Sequence, residues 1–150
     1  MSAPVTSPRS RVHPVMLAAD IEFLAQYYLT PVVAPAPVAT RLPRANAPED
    51  TTNGFLRVEF AGGSAPTLTE FDLSVMLHSY GVPKYELQAS EISRVATGYL
   101  AAATGQTVAG WYVVDVPHVI APHRLSDPDV ALLRYRSLVT WRVTGQTLTE

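Results

Sequence analysis

At 150 residues and 16.3 kDa the chain fits one domain with one core, large enough to bury roughly two thirds of its unfolded surface. Eleven Lys and Arg against 13 Asp and Glu leave a formal charge of −2 and a pI near 6.1, which makes no electrostatic case for binding nucleic acid or a membrane surface. With no cysteine, disulfides, thiolate metal sites and cysteine nucleophiles are excluded, and folding in a reducing compartment is expected. Charged residues make up 16% and hydrophobic residues 47%, a balance that favours a subunit of an assembly over a free monomer. No apolar run approaches the roughly 18 residues that span a bilayer, and the N-terminus lacks the apolar core of a signal peptide, so a soluble protein is expected.

Residues 1–13, with their prolines, serines and arginines, predict a flexible arm, and residues 14–150 a single domain. Leu17, Ile21, Leu24 and Tyr28 recur at helical spacing, widened by Met16, Phe23 and Tyr27, which predicts a first helix over Pro14 to Leu29 stopped by Pro31. Five prolines between Pro31 and Pro48 leave room only for an edge strand, Val38 to Leu42, followed by a loop over Asn46 to Gly54. Phe55 to Phe60 and Thr67 to Leu77 alternate as two strands of a hairpin, with the turn at Gly62-Gly63-Ser64-Ala65-Pro66. A strand follows those glycines instead of a helix N-terminus, which argues against a phosphate cradle.

A second helix places Tyr85, Ala89, Ile92, Val95 or Ala96, Tyr99 and Ala103 on one face, and Gly105 closes it. Its small-residue half, Ala96 to Ala103, suits close packing on a sheet or a neighbouring subunit. Thr107 to Val116 is the next strand and Pro117 to Val130 a connector. The last strand, Leu132 to Thr144, sets Leu133, Tyr135, Ser137, Val139, Trp141 and Val143 against Leu132, Arg134, Arg136, Leu138, Thr140 and Arg142, one apolar face and one mostly basic or hydroxylated. The order α-β-β-β-α-β-β predicts an α+β fold, a mainly antiparallel sheet of about five strands with two helices packed on one face.

Chemistry-bearing clusters are few. Asp115, His118, His123, Asp127 and Asp129 form the densest titratable group, but turn formation accounts for the aspartates, and His118 and His123 match no rigid ligand scaffold. A small metal-dependent hydrolase using His118, His123 and Asp127 is the alternative from the enzyme class; the expectation is no catalytic residue, no metal and no cofactor. Glu70 and Asp72 share a strand face that is expected to be solvated. Arg57, Arg134, Arg136 and Arg142 would line the side of the sheet away from the core, solvated, paired across subunits with Glu59, Glu70 or Asp72, or, against the acidic pI, touching a nucleic-acid backbone.

Taken in order, the segments Ala19-Asp20-Ile21-Glu22-Phe23-Leu24-Ala25, Val38-Ala39-Thr40-Arg41-Leu42-Pro43, Phe55-Leu56-Arg57-Val58 with Gly62-Gly63, Asp72-Leu73-Ser74-Val75, Ser126-Asp127-Pro128-Asp129, Arg134-Tyr135 and Leu138-Val139-Thr140-Trp141-Arg142-Val143 resemble the tail terminator proteins of long-tailed, siphovirus-type phages, especially those of actinobacterial hosts. The resemblance covers nearly the whole chain. It departs at the arm before Pro14, the proline-dense Pro31 to Pro37 and Glu59. It implies a non-enzymatic virion protein: a homohexameric ring that caps the head-proximal end of the tail tube, stops its polymerisation and joins the tail to the neck. The implied partners are further copies of the chain, the major tail tube protein and a neck or head-completion protein. Double-stranded DNA would pass through the lumen without specific binding, no membrane would be involved, and assembly would take place in the host cytoplasm. A head-completion or stopper protein of the neck is the neighbouring alternative. Arg57, Glu59, Arg134, Arg136, Arg142, His118, His123, Asp127 and Asp129 are the candidate inter-subunit or neck contacts, with Pro31 to Pro48 and Pro117 to Val130 expected at such interfaces.

Overall fold

The computed structural model describes residues 14–41, 53–81, 86–125 and 133–148. The expected arm and the loop residues 42–52 lie outside them, as do Asp127 and Asp129. The elements run β1 (Met16–Leu17), α1 (Ile21–Val33), β2 (Val38–Ala39), β3 (Phe55–Ser64), β4 (Glu70–Gly81), α2 (Glu86–Ala101), β5 (Thr107–Val108), β6 (Trp111–Leu125), β7 (Leu133–Thr144) and β8 (Gln146–Thr147). Six strands form the main sheet in the order β2-β3-β4-β7-β6-β5, and β1 pairs with β8 in a separate two-stranded ribbon. The fold is α+β, with one more strand in the main sheet than expected. The edge strand β2 is parallel to β3 and the other neighbours are antiparallel.

The alternation of β7 decides where the core lies. Ser137, Val139, Trp141 and Val143 are buried, opposite Leu77, Val75, Leu73 and Phe71 on β4. Val58 of β3 and Val113 of β6 extend this surface, and α1 and α2 cover it with Ile21, Leu24, Leu29, Ile92, Ala96 and Leu100. Apolar area removed from water at about 25 cal/mol per Å² is the main stabilising term. Trp141 joins the layers: its Nε1–H donates to the Leu100 carbonyl in the last turn of α2 at 2.8 Å, and its ring meets Tyr28 edge-on at 5.7 Å. Gly105, at φ +82°, does not close that helix as expected: α2 ends at Ala101, and the Gly105 amide donates to the Val113 carbonyl of β6 at 2.8 Å.

Several boundaries differ from expectation. The first helix begins at Ile21, because Asp20 caps it by accepting from the Phe23 amide at 3.3 Å, while the backbone before it is taken by β8 through Met16, Leu17 and Val15. The helix also continues through Pro31 to Val33: proline supplies a helical φ, and the extra turn buries Val33. Leu17, Phe23 and Tyr27, counted on the core stripe, are exposed; Ala25 and Leu29 replace them.

Gly62 and Gly63 do not form the hairpin turn. They belong to β3, where the register shifts between Phe60 and Gly63 and Gly62 adopts φ +98°; the connection is 65–69. Thr107 to Val116 is not one strand but a β5–β6 hairpin, turned by Ala109 (φ +48°) and Gly110 (φ +87°), a two-residue turn with both central residues left-handed. The connector expected from Pro117 is strand as far as Leu125, because Pro117 and Pro122 each fall at a register shift, where a missing donor costs no ladder bond. The small-residue half of α2 buries Ala96, Thr97, Leu100 and Ala103, but Gly98 and Ala102 face outward. At its other end α2 also packs tightly on the sheet, where a Cβ on Gly81 would lie 2.8 Å from the Ala89 nitrogen.

Candidate functional site on the helix-free face

The side chains that alternate with the core set point away from the helices, and strand register arranges them in rows. Asp72, Arg142 and Asp115 align across β4, β7 and β6; Ser74, Thr140 and His118 form the next row. Glu59, Met76, Leu138 and Ile120 follow, and then Arg57, His78, Arg136 and His123. Tyr80, Arg134 and Leu125 close the face at its far end. All four arginines expected on this side are therefore on it, together with Glu59, Glu70, Asp72, His118 and His123.

Two of the expected inter-subunit acids have partners within the subunit. Asp72 accepts a two-pronged pair from Arg142, at 2.8 Å from Nε and 3.1 Å from Nη2. That hydrogen bond, the Asp72 charge, and the further charges of Glu70 and Asp115 raise the Arg142 pKa above its ordinary value. Glu59 pairs with Arg57 at 3.0 Å. Between these rows the Ser74 and Thr140 hydroxyls share a hydrogen bond of 2.7 Å.

His78 is the residue that sequence reasoning missed. The alternating run Thr67 to Leu77 stops one residue short of it, but β4 runs on to Gly81, and His78 continues the outward-facing set of Asp72, Ser74 and Met76. It is only 2% exposed. Arg134 Nη2 lies 2.9 Å from Nδ1, and since a guanidinium can only donate, Nδ1 is the unprotonated nitrogen. Nε2 therefore carries the proton of the neutral ring and lies 3.7 Å from Glu59 Oε2. Burial, with the positive charges of Arg57, Arg134 and Arg136 outweighing the opposing pull of Glu59, lowers the pKa from 6.5 to about 4. At neutral pH the imidazole is uncharged and its lone pair is committed to Arg134, itself stacked 5.8 Å from the Tyr80 ring centre.

His118 and His123 share this face, but their β7 partners Thr140 and Arg136 are four residues apart, about 13 Å along a strand, too far to share an ion whose ligand atoms lie about 2 Å from it. Among the described residues no group of three His, Cys, Asp or Glu could hold a metal ion. A cleft of about 440 Å³ between the end of α1 and α2 is lined by Val32, Val33, Ile92 and Val95, with Gln88 and Glu91 at its polar side. The helix-free face thus combines fixed charges of both signs with a central apolar row, a surface suited to recognition. Compared with known proteins, the chain matches no family model and no curated sequence.

Proposed function

We propose that the chain is a tail terminator of a long-tailed phage, a structural protein of which six copies close a ring on the head-proximal end of the tail tube, end its growth and offer the neck its docking surface. The observation that carries this reading is the ordered series of segments from Ala19-Asp20 to Leu138-Val139-Thr140-Trp141-Arg142-Val143 that resembles that family along nearly the whole chain. The α+β fold supports it. Both helices cover one side of the sheet, leaving the opposite face and the β6 edge beyond Val113 to other contacts among the described residues. Exposed Val119 and Ile120 lie on that strand, and heterologous contacts that close around an axis cover such edges and apolar positions. The expected partners are the tail tube protein and a neck protein, with DNA passing through the lumen.

Deleting the gene from its phage tests the proposal. Overlong tails or tailless heads are expected in electron micrographs of the lysate, and tails of normal length joined to heads would sink it. A chain found first on filled heads, before any tail, would belong to the neck as a head-completion protein.

A further inference from the structure

The chain holds two asparagines, Asn46 followed by Ala47 and Asn53 followed by Gly54. An asparagine side-chain amide is open to attack by the main-chain nitrogen of the next residue, and the attack is easiest when that residue has no Cβ to crowd the nitrogen. Asn53 is exposed at the turn that leads into β3, on the wall of the cleft that Gln88 and Glu91 also line. Solvent reaches it. Gly54 is buried, at φ +79°, with no spare space around it: a Cβ there would lie 2.5 Å from Ile92 Cδ1, 3.0 Å from the Tyr80 carbonyl oxygen and 3.2 Å from Gln88 Cγ. The main chain just beyond is held on both sides, by Tyr80 opposite Phe55 and by the Leu56 amide, which donates to the Pro37 carbonyl at 3.0 Å. A reactive side chain thus stands immediately before a stretch of main chain that has no slack.

We propose that Asn53 is a site of spontaneous deamidation and isomerisation whose effect on the fold is passed to α2. Hydroxide takes the Gly54 amide proton, the nitrogen bonds to Asn53 Cγ, the Cγ–Nδ2 bond breaks, and ammonia leaves with its third hydrogen drawn from water, which restores the hydroxide. The product is a cyclic succinimide. Water then opens the ring at either carbonyl, giving aspartate, or isoaspartate, in which the main chain runs through the former side-chain methylene. Overall one water is consumed and one ammonia released, with no change of oxidation state. Both products add a negative charge to the cleft wall that carries Glu91. Isoaspartate also lengthens the main chain by one methylene directly before Gly54, and with Phe55 and Leu56 held in the sheet the extra length is taken up against Ile92 and Gln88 of α2. The site goes beyond the ring reading and does not depend on it.

Incubating the full-length protein in warm, mildly alkaline buffer tests the site, read by ion-exchange chromatography and by mass mapping of its peptides. A more acidic form should accumulate with the change at Asn53, at least about ten-fold faster than at Asn46, and Asn53→Gln should not produce it. If Asn53→Gln fails to fold by circular dichroism, Asn53→Ser takes its place as the unreactive control. The purified isoaspartyl fraction should melt at a lower temperature than fresh protein and exchange the amides around Ile92 faster. Asn53→Asp carries the charge without the added methylene and should melt closer to the wild type. An Asn53 that stays intact in the folded protein while the urea-unfolded chain loses it, an Asn46 that reacts first, or an acidic form that persists in the folded control would overturn the site. An isoaspartyl fraction that melts with fresh protein, or no lower than Asn53→Asp, would overturn the link to α2.

Discussion

The two faces of one sheet differ in what organises them. Behind the helices, β4 and β7 present Leu73, Val75, Leu77, Val139, Trp141 and Val143, any of which finds apolar neighbours wherever the strand is placed. On the open face the same strands present charges and hydroxyls whose surroundings depend on which residue lies opposite. Slipping β7 by two residues against β4 in either direction would preserve the inside and outside sets but move Arg142 away from Asp72, which lies directly opposite it. The covered face accordingly holds the fold together, and the open face encodes the register. Each face also has exceptions: Ser79 and Ser137 are buried on the apolar side, His78 and Thr140 on the charged one.

The largest effect is expected where the covered face is deepest. Trp141→Ala should cost about 3–5 kcal/mol in urea unfolding, from lost burial and the cavity left behind. Trp141→Phe should cost less, about 1–2 kcal/mol, because the Leu100 carbonyl still accepts from the Ala103 amide at 3.3 Å. A negligible loss for the alanine variant would deny this face its leading role.

The open face should respond to pH instead. The unfolded chain takes up a proton on histidine near pH 6.5 and the folded one resists until about 4, so between these values the unfolded state holds more protons. Stability conferred by the neutral His78 is complete above 6.5 and is lost as pH falls through the window, on the order of 3 kcal/mol at its acid end. His78→Gln keeps an acceptor for Arg134 and removes the titration, so it should flatten the stability profile between pH 6.5 and 4. An unchanged profile in the variant would place the pH dependence elsewhere.

The smallest effect concerns one polar exception within the core. Thr97 of α2 and Ser137 of β7 share a buried hydrogen bond of 2.7 Å. Thr97→Val and Ser137→Ala should each cost about 1–2 kcal/mol, since each strands a buried hydroxyl or loses its partner, and the double variant should cost less than the two together. Full additivity would show that the pair is not coupled.

Much of the fold was legible. Period-two alternation placed both faces of β7, and the β3–β4 hairpin followed from two alternating runs separated by turn residues. The errors cluster where a local signal met a longer-range one. Pro117 and Pro122 read as loop because proline opposes a ladder, yet both coincide with register shifts that the sequence does not display. Pro14 looked like a helix start until the C-terminal β8 took up the backbone of β1, a pairing between residues about as far apart as the chain allows. Of the candidate site, the side occupied by each arginine was legible, but not its partner: Arg142 meets Asp72 from 70 positions away, and His78 meets Arg134 from 56.

The amino-acid pattern alone determined which residues turn inward, the α+β class and the gathering of arginines on one side, because side-chain alternation and helical spacing are properties of neighbours in the chain. Only the tertiary structure decided that Arg142 is bound to Asp72 and Arg57 to Glu59, that His78 is buried uncharged among the arginines, and that β6 continues past its prolines. Cross-strand register brings distant residues together, and electrostatic interactions and burial act on distances in space.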